Sequence, residues 1–314
     1  MPVGQDLDWP SFQSGRSDVK HGKGLSGVSI GSLRRAGAMV LLAMLAGCMP
    51  GEGEANRLER PAIAVYSAGA GRVFVLHQQA QGPGQPVGTR IARMNLDGQV
   101  ERRNWRQGFG PNAALAAQGN TLYVSDGSEL WQFDARSGDE LAHVTVDHAQ
   151  LSDVAVDPHG LVHVLDQRKA RVLRVVGERA VNLPLPPRTT PIAILHSADA
   201  LWILLAGQGR DETILLRRSF ADDERLCRLS PVSGRSVLVD LERNRIGLFD
   251  PKTQRLRRFD QDCRELLHWR IAAGPVRFAQ LPGDRLAIPE PEHDRVNVMA
   301  TPDRLLADAP GQFR

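Results

Sequence analysis

Five side chains able to hold a divalent cation or move a proton recur at one place in a repeating pattern. His77, Asp126, Asp166, Asp250 and Glu290 each end the second of two short apolar runs, and Ala206 takes that place in a sixth copy. In this register all six face the same end of a ring, beside the loops joining second and third strands. Carboxylates and an imidazole gathered there would ligate a metal, whose bound water could hydrolyse or eliminate. A plainer reading competes with this one: an Asp at a strand end accepts hydrogen bonds from the amides of the turn that follows. Arg168, Lys169, Arg171, Lys252, Arg255 and Arg295 flank the set as solvated turn tips that would screen an acidic ring.

Other catalytic constellations are missing from the sequence. Nine histidines form no H-x-H or H-E-x-x-H pair; His159 sits in a D-P-x-G turn and His163 alternates on a strand. No G-x-S-x-G elbow supports a nucleophilic serine. The glycine turns in VVGERA and LAGQGR lead into no helix, so they cradle no phosphate. No cofactor is expected.

The elements that must position these groups are strands. After Arg60, alternating runs of Val, Ile and Leu are separated by Gly, Pro, Asp and Asn, and no helix-length stretch carries a 3.6-residue apolar period. Leu151–Pro187 reads as four strands, with Val154 and Val156, then Val162 and Val164, on shared faces. Similar units start near residues 62, 113, 151, 191, 235 and 275. Most intervals are about 40 residues, and the longer first one contains an insertion, Gln78–Thr89. Six such units predict an all-β chain, a six-bladed β-propeller of four-stranded antiparallel blades, with seven blades or a two-sheet sandwich as alternatives. Arg225–Ser233 fits either the last strand of unit four or the first of unit five. No strand exchange between the termini is visible, which leaves ring closure open.

The third unit, DVAVDPHGLVHVLDQRKARVLRVV (Asp153–Val176), resembles the NHL-repeat family of six-bladed propellers. RVFVLHQ and RLAIPEPEHDRVNV keep that outline without the Asp-Pro-x-Gly turn. The resemblance implies the fold, and a role as an interaction platform more often than as an enzyme. The E-G-P-x-W segment of gluconolactonase-type propellers is absent, and Asn112, Asn120 and Asn244 share no repeat position. FDARSGDEL (Phe133–Leu141) and FDPKTQRL (Phe249–Leu256) are similar to quinoprotein-repeat turns. With Trp131 and Trp269 placed elsewhere, an Asp-initiated four-residue turn explains them more simply.

One cysteine has a separate chemistry. Arg34 and Arg35 precede an apolar run of 12 residues, Ala36–Gly47, that ends at Cys48. A membrane-spanning helix needs about 20, so the run matches the core of a signal peptide. Leu45-Ala46-Gly47-Cys48 resembles a bacterial lipobox, which implies a thioether to diacylglycerol at Cys48 and cleavage before it. Two or three acyl chains give stable anchoring. The 33 residues before Arg34 are long for such a leader and suggest a start site chosen too early. The Arg pair fits the twin-arginine motif poorly. Met49 in place of Asp implies outer-membrane sorting, facing the periplasm.

The expected organisation is a leader over 1–47, a lipidated linker over 48–60 and a propeller over 61–314. The leader holds Arg16, Lys20, Lys23, Arg34 and Arg35 against Asp6, Asp8 and Asp18. Of the chain's 39 basic and 36 acidic residues, 34 and 33 therefore remain, a net charge near +1 that leaves no surplus for nucleic acid. Cys227 and Cys263 fall in adjacent units. An oxidising compartment permits one disulfide, but sequence leaves open whether they bridge or stay as thiols. The expectation is a lipid-anchored, non-catalytic binding module with a protein or glycan partner, for which the insertion Gln78–Thr89 offers a contact loop. The alternative is a metal-dependent hydrolase or lyase using the acidic strand ends and His77.

Overall fold

Short apolar runs broken by Gly, Pro and Asp make four-stranded antiparallel sheets whose two faces are both greasy. Such a sheet is stable only when each face packs on another. The computed structural model describes residues 56–79, 88–197, 199–207, 209, 212–219, 223–241, 245–271 and 276–301. Cys48, the leader and residues 80–87 of the insertion lie outside them.

Blade one is β1 (Pro61–Ser67), β2 (Arg72–Gln79), β3 (Gly88–Met94) and β4 (Val100–Phe109). Blade two is β5 (Ala114–Gln118), β6 (Thr121–Asp126), β7 (Glu129–Asp134) and β8 (Glu140–Thr145). Blade three is β9 (Leu151–Val156), β10 (Val162–Asp166), β11 (Arg171–Val176) and β12 (Arg179–Leu183). Blade four is β13 (Thr190–Ser197), β14 (Ala200–Ala206), β15 (Thr213–Ser219) and β16 (Glu224–Leu229). Blade five is β17 (Val237–Leu241), β18 (Arg245–Asp250), β19 (Arg255–Phe259) and β20 (Glu265–Arg270). Blade six is β21 (Ala279–Leu281), β22 (Arg285–Glu290) and β23 (Arg295–Ala300), with a 3-10 turn at Pro291–His293. Strands pair in sequence order within every sheet. The sixth sheet has three strands among the described residues, where the repeat predicts four. Arg225–Ser233 resolves to unit four, as β16 and the linker after it.

Alternation along the second strands explains the packing. Val73 and Val75 of β2 face blade six, whereas Phe74 and Leu76 face blade two. Leu122 and Val124 of β6 likewise face blade one while Tyr123 faces blade three. Because both faces are covered, these strands read as unbroken apolar runs such as ALWILLA. Six core clusters result, each shared by two neighbouring blades, in a cycle from blades one and two round to blades six and one. A sandwich would have one core between two layers, and seven blades would need a seventh interface.

Closure uses no exchanged strand among the described residues. Ile63 and Arg277 form a parallel bridge between the innermost segments of blades one and six. There Ala64 N donates to Arg277 O (2.9 Å) and Arg277 N to Ala62 O (3.0 Å). The segment before β1 adds a second tie. Leu58 N donates to Asp294 O (2.6 Å), and Arg57 pairs with the Asp294 carboxylate at 2.8 Å. Leu58 itself is fully buried at that seam. No helix among the described residues is long and apolar enough to cross a membrane.

Candidate functional site

The strand-end residues occupy the positions the repeat predicts. His77 lies near the end of β2, and Asp126, Asp166, Ala206, Asp250 and Glu290 each close a second strand. Pairings such as Asp166 with Leu151 and Ala206 with Thr190 put them level with the starts of the inner strands, the linker end of the ring. Each of the five polar ones makes hydrogen bonds to nearby linkers or turns. Asp126 accepts the amide of Gly110 (2.6 Å), in the linker entering its own blade. The approach is close: a Cβ on Gly110 would stand 2.7 Å from Asp126 Oδ1, so a larger residue would displace that carboxylate. Asp166 accepts the amide of Gln150 (3.0 Å), again an entering linker, and Arg171 Nε (2.9 Å). Burial opposes the charge on Asp250, but hydrogen bonds from Ser233, Thr253 and the Lys252 amide outweigh it and lower its pKa. The same competition at Glu290, with Arg295 and Asn297 as donors, also lowers its pKa. His77 bridges Gln78 O and Arg103 O at 3.1 Å each, and burial holds its ring below the usual histidine pKa. The ring therefore ties linkers and turns to blades. Among the described residues, no three His, Cys, Asp or Glu side chains come together to hold a metal ion.

The turns that are similar to quinoprotein repeats are not equivalent to each other. Asp134 caps the β7–β8 turn through the amides of Arg136 and Ser137, whereas Asp250 caps the β18–β19 turn. The two lie at opposite ends of their blades.

Polar chemistry concentrates on the axis instead. Arg277, just before β21, reaches Asp153 of β9 with Nη2 2.6 Å from each carboxylate oxygen. In a ring of six, blades six and three face each other across the channel, so this pair is a strut through its centre. The guanidinium also donates to Leu115 O (3.5 Å) and Ile194 O (3.4 Å), on blades two and four. Asp153 is completed by the amides of Val154 (2.8 Å) and Ile194 (2.9 Å). Side-chain exposure is only 11% for Arg277 and 8% for Asp153. The carboxylate is thus fully bonded while buried, the condition under which an internal ion pair is tolerated.

Beyond the strut lies a cavity of about 200 Å³, lined by all six inner strands. Its wall runs from the strut to the turns joining first and second strands, the turn end. Tyr66, Gln118, His196, Asp240 and Gln280 are the polar residues on that wall, with Arg277 as its floor. Ser197 Oγ donates to Asp240 at 2.5 Å. Asp240 is exposed where the cavity opens at the turn end, and the protein around its carboxylate pushes its pKa up to about 6 against the pull of Ser197 and the Leu241 amide. None of these wall residues stands out in the sequence as part of a motif. The available signal was a charge at an otherwise apolar place in a first strand, as in PVRFAQ, LSDVAV and VLVDL.

Behind the wall, His163 Nδ1 and His196 Nε2 are 3.0 Å apart, so one ring donates and the other accepts. Burial first, then the neighbouring ring, lowers His163 to about 3. Burial lowers His196 to about 4, although Asp157 pulls the other way. Unfolded, both titrate near pH 6.5. Below that pH the unfolded chain takes up protons the folded chain refuses. Stability is therefore full above about pH 6.5 and falls as pH drops toward 4, by about 1.4 kcal/mol per unit for each ring. Urea midpoints at pH 7 and pH 5 will show this loss, and His163→Gln with His196→Gln will flatten it. An equal slope in that double variant would remove the pair as its cause.

The architecture defines an all-β, six-bladed propeller. No family model matches the sequence, and no curated protein matches it. Solved structures do share the fold. A catalytically inactive virginiamycin B lyase from Staphylococcus aureus, crystallised with Quinupristin, aligns with a TM-score of 0.53 at 10% identity, over 80% of this chain and 96% of that one. A protein of unknown function from Bacteroides thetaiotaomicron gives 0.53 at 11% identity, over 78% and 70%. A chain of the Nidogen/Laminin complex gives 0.51 at 13% identity, over 74% and 95%. At these identities the likeness extends to the fold alone.

Proposed function

We propose that the protein is a bacterial lipoprotein, anchored through Cys48 and facing the periplasm, whose propeller is a non-catalytic binding module for a protein or glycan. The observation that carries the reading is where the polar groups are used. The strand-end residues hold linkers and turns, and the axis is crossed by an ion pair with its bonds complete. A catalytic ring would keep such groups free for substrate. Export is supported by the disulfide between Cys227 and Cys263, a bond that persists in oxidising compartments.

The test is in two parts. Metabolic labelling with an alkyne fatty acid will mark the wild type, and Cys48→Ala will abolish the label and release the protein from the membrane fraction. An unlabelled protein, or one found in the cytosol with its leader intact, would overturn the anchor. Crosslinking on intact membranes, followed by pull-down, will recover one specific partner. Recovery of none would overturn the binding role.

A further inference from the structure

We propose that the turn-end mouth of the channel is a binding site for a small ligand bearing an alkylammonium or guanidinium group, with the Asp240 carboxylate as its anchor. The inference rests on the binding-module reading and names a site and a ligand class for it. Three observations carry it. The cavity has a closed floor, because the strut between Arg277 and Asp153 fills the channel beneath it. Its volume of about 200 Å³ falls below the roughly 300–1,000 Å³ typical of drug-sized ligands, which selects a small molecule. Its wall has one sided charge. Among the described residues, Asp240 accepts only the Ser197 hydroxyl and the Leu241 amide and faces no cationic side chain.

The neighbours reinforce that sign. Arg277 is the one cation lining the cavity among the described residues, and it is already bound to both oxygens of Asp153. His196, on the adjoining blade, is kept neutral by burial. Tyr66, Gln118 and Gln280 bring neutral polar groups from blades one, two and six. The Asp240 carboxylate lines the cavity and is exposed there, with no counter-ion among the described residues. An ammonium seated beside it would make a charge-assisted hydrogen bond, whereas an alcohol would make only a neutral one and a second carboxylate would be repelled.

The experiment uses the full lipidated chain in detergent micelles at pH 7.5, with butylammonium as the probe and its transverse relaxation as the readout. Saturable broadening is expected for butylammonium, at least tenfold weaker binding for butanol, and none for butyrate. Asp240→Asn keeps the size and the bond from Ser197, and will weaken butylammonium at least tenfold while leaving the melting temperature unchanged. Equal binding of butylammonium and butanol, or equal binding to wild type and Asp240→Asn, would overturn the site. The charge series needs no variant, so it decides the matter even if Asp240→Asn folds poorly. A failed pull-down with butylammonium bound would overturn the macromolecular partner alone. A successful pull-down without butylammonium binding would overturn only this site.

Discussion

Arg277→Met will destabilise the propeller by about 3–5 kcal/mol, the usual cost of stripping one partner from a buried ion pair. The variant leaves Asp153 with 8% of its side chain exposed and no counter-ion, and it removes donors that also reach blades two and four. For a domain of this size the melting temperature should fall by roughly 2–4 °C per kcal/mol. The paired change, Arg277→Met with Asp153→Leu, removes both charges together and should recover most of the loss, because an apolar pair avoids the desolvation cost. Urea unfolding of the wild type, the two single variants and the double variant measures the coupling. A single-variant loss under about 1 kcal/mol would mean that the strut does not hold opposite blades together.

The second large effect comes from the disulfide. Cys227 on β16 and Cys263 in the β19–β20 turn bond across the outer edges of blades four and five, with Cα atoms 6.1 Å apart. The bridge closes a loop with a sequence separation of 36. Restricting an unfolded loop of that length is worth about 3–4 kcal/mol. Cys227→Ser with Cys263→Ser, or reduction of the wild type, should therefore lower the unfolding free energy from urea titration by that amount and move the midpoint down accordingly, and thiol titration should find the two sulfurs protected before reduction. Thiols reactive in the native protein, or an unchanged midpoint, would sink the expectation.

The repeat starting near 62, 113, 151, 191, 235 and 275 was legible because a buried strand leaves a local record. β10 alternates Val162, Val164 against its partner Val154, Val156, and all four fall in one core cluster. The strand ends were legible for the same reason, since a turn cap needs only neighbours close in sequence, as at Asp250 with Lys252 and Thr253. What escaped was whatever depends on closure. Arg277 and Asp153 are 124 residues apart, and nothing in either segment says that blades six and three face each other. The bond between Cys227 and Cys263 was undecidable for a related reason: adjacent units are evident, but the distance between their edges is set by the radial packing.

The seam between the first and last blades joins strands from the two ends of the strand order, whereas blades at the other five interfaces are consecutive in the chain. Besides the apolar core that it has like the others, a parallel bridge, the Leu58 amide and the Arg57–Asp294 pair tie it, and these lie within a few residues of the point where the chain enters the ring. Tension applied to the amino-terminal side of Arg57 reaches these contacts before any sheet bears load. Only at this seam must non-covalent contacts alone keep neighbouring blades together, like a clasp on a chain of linked plates.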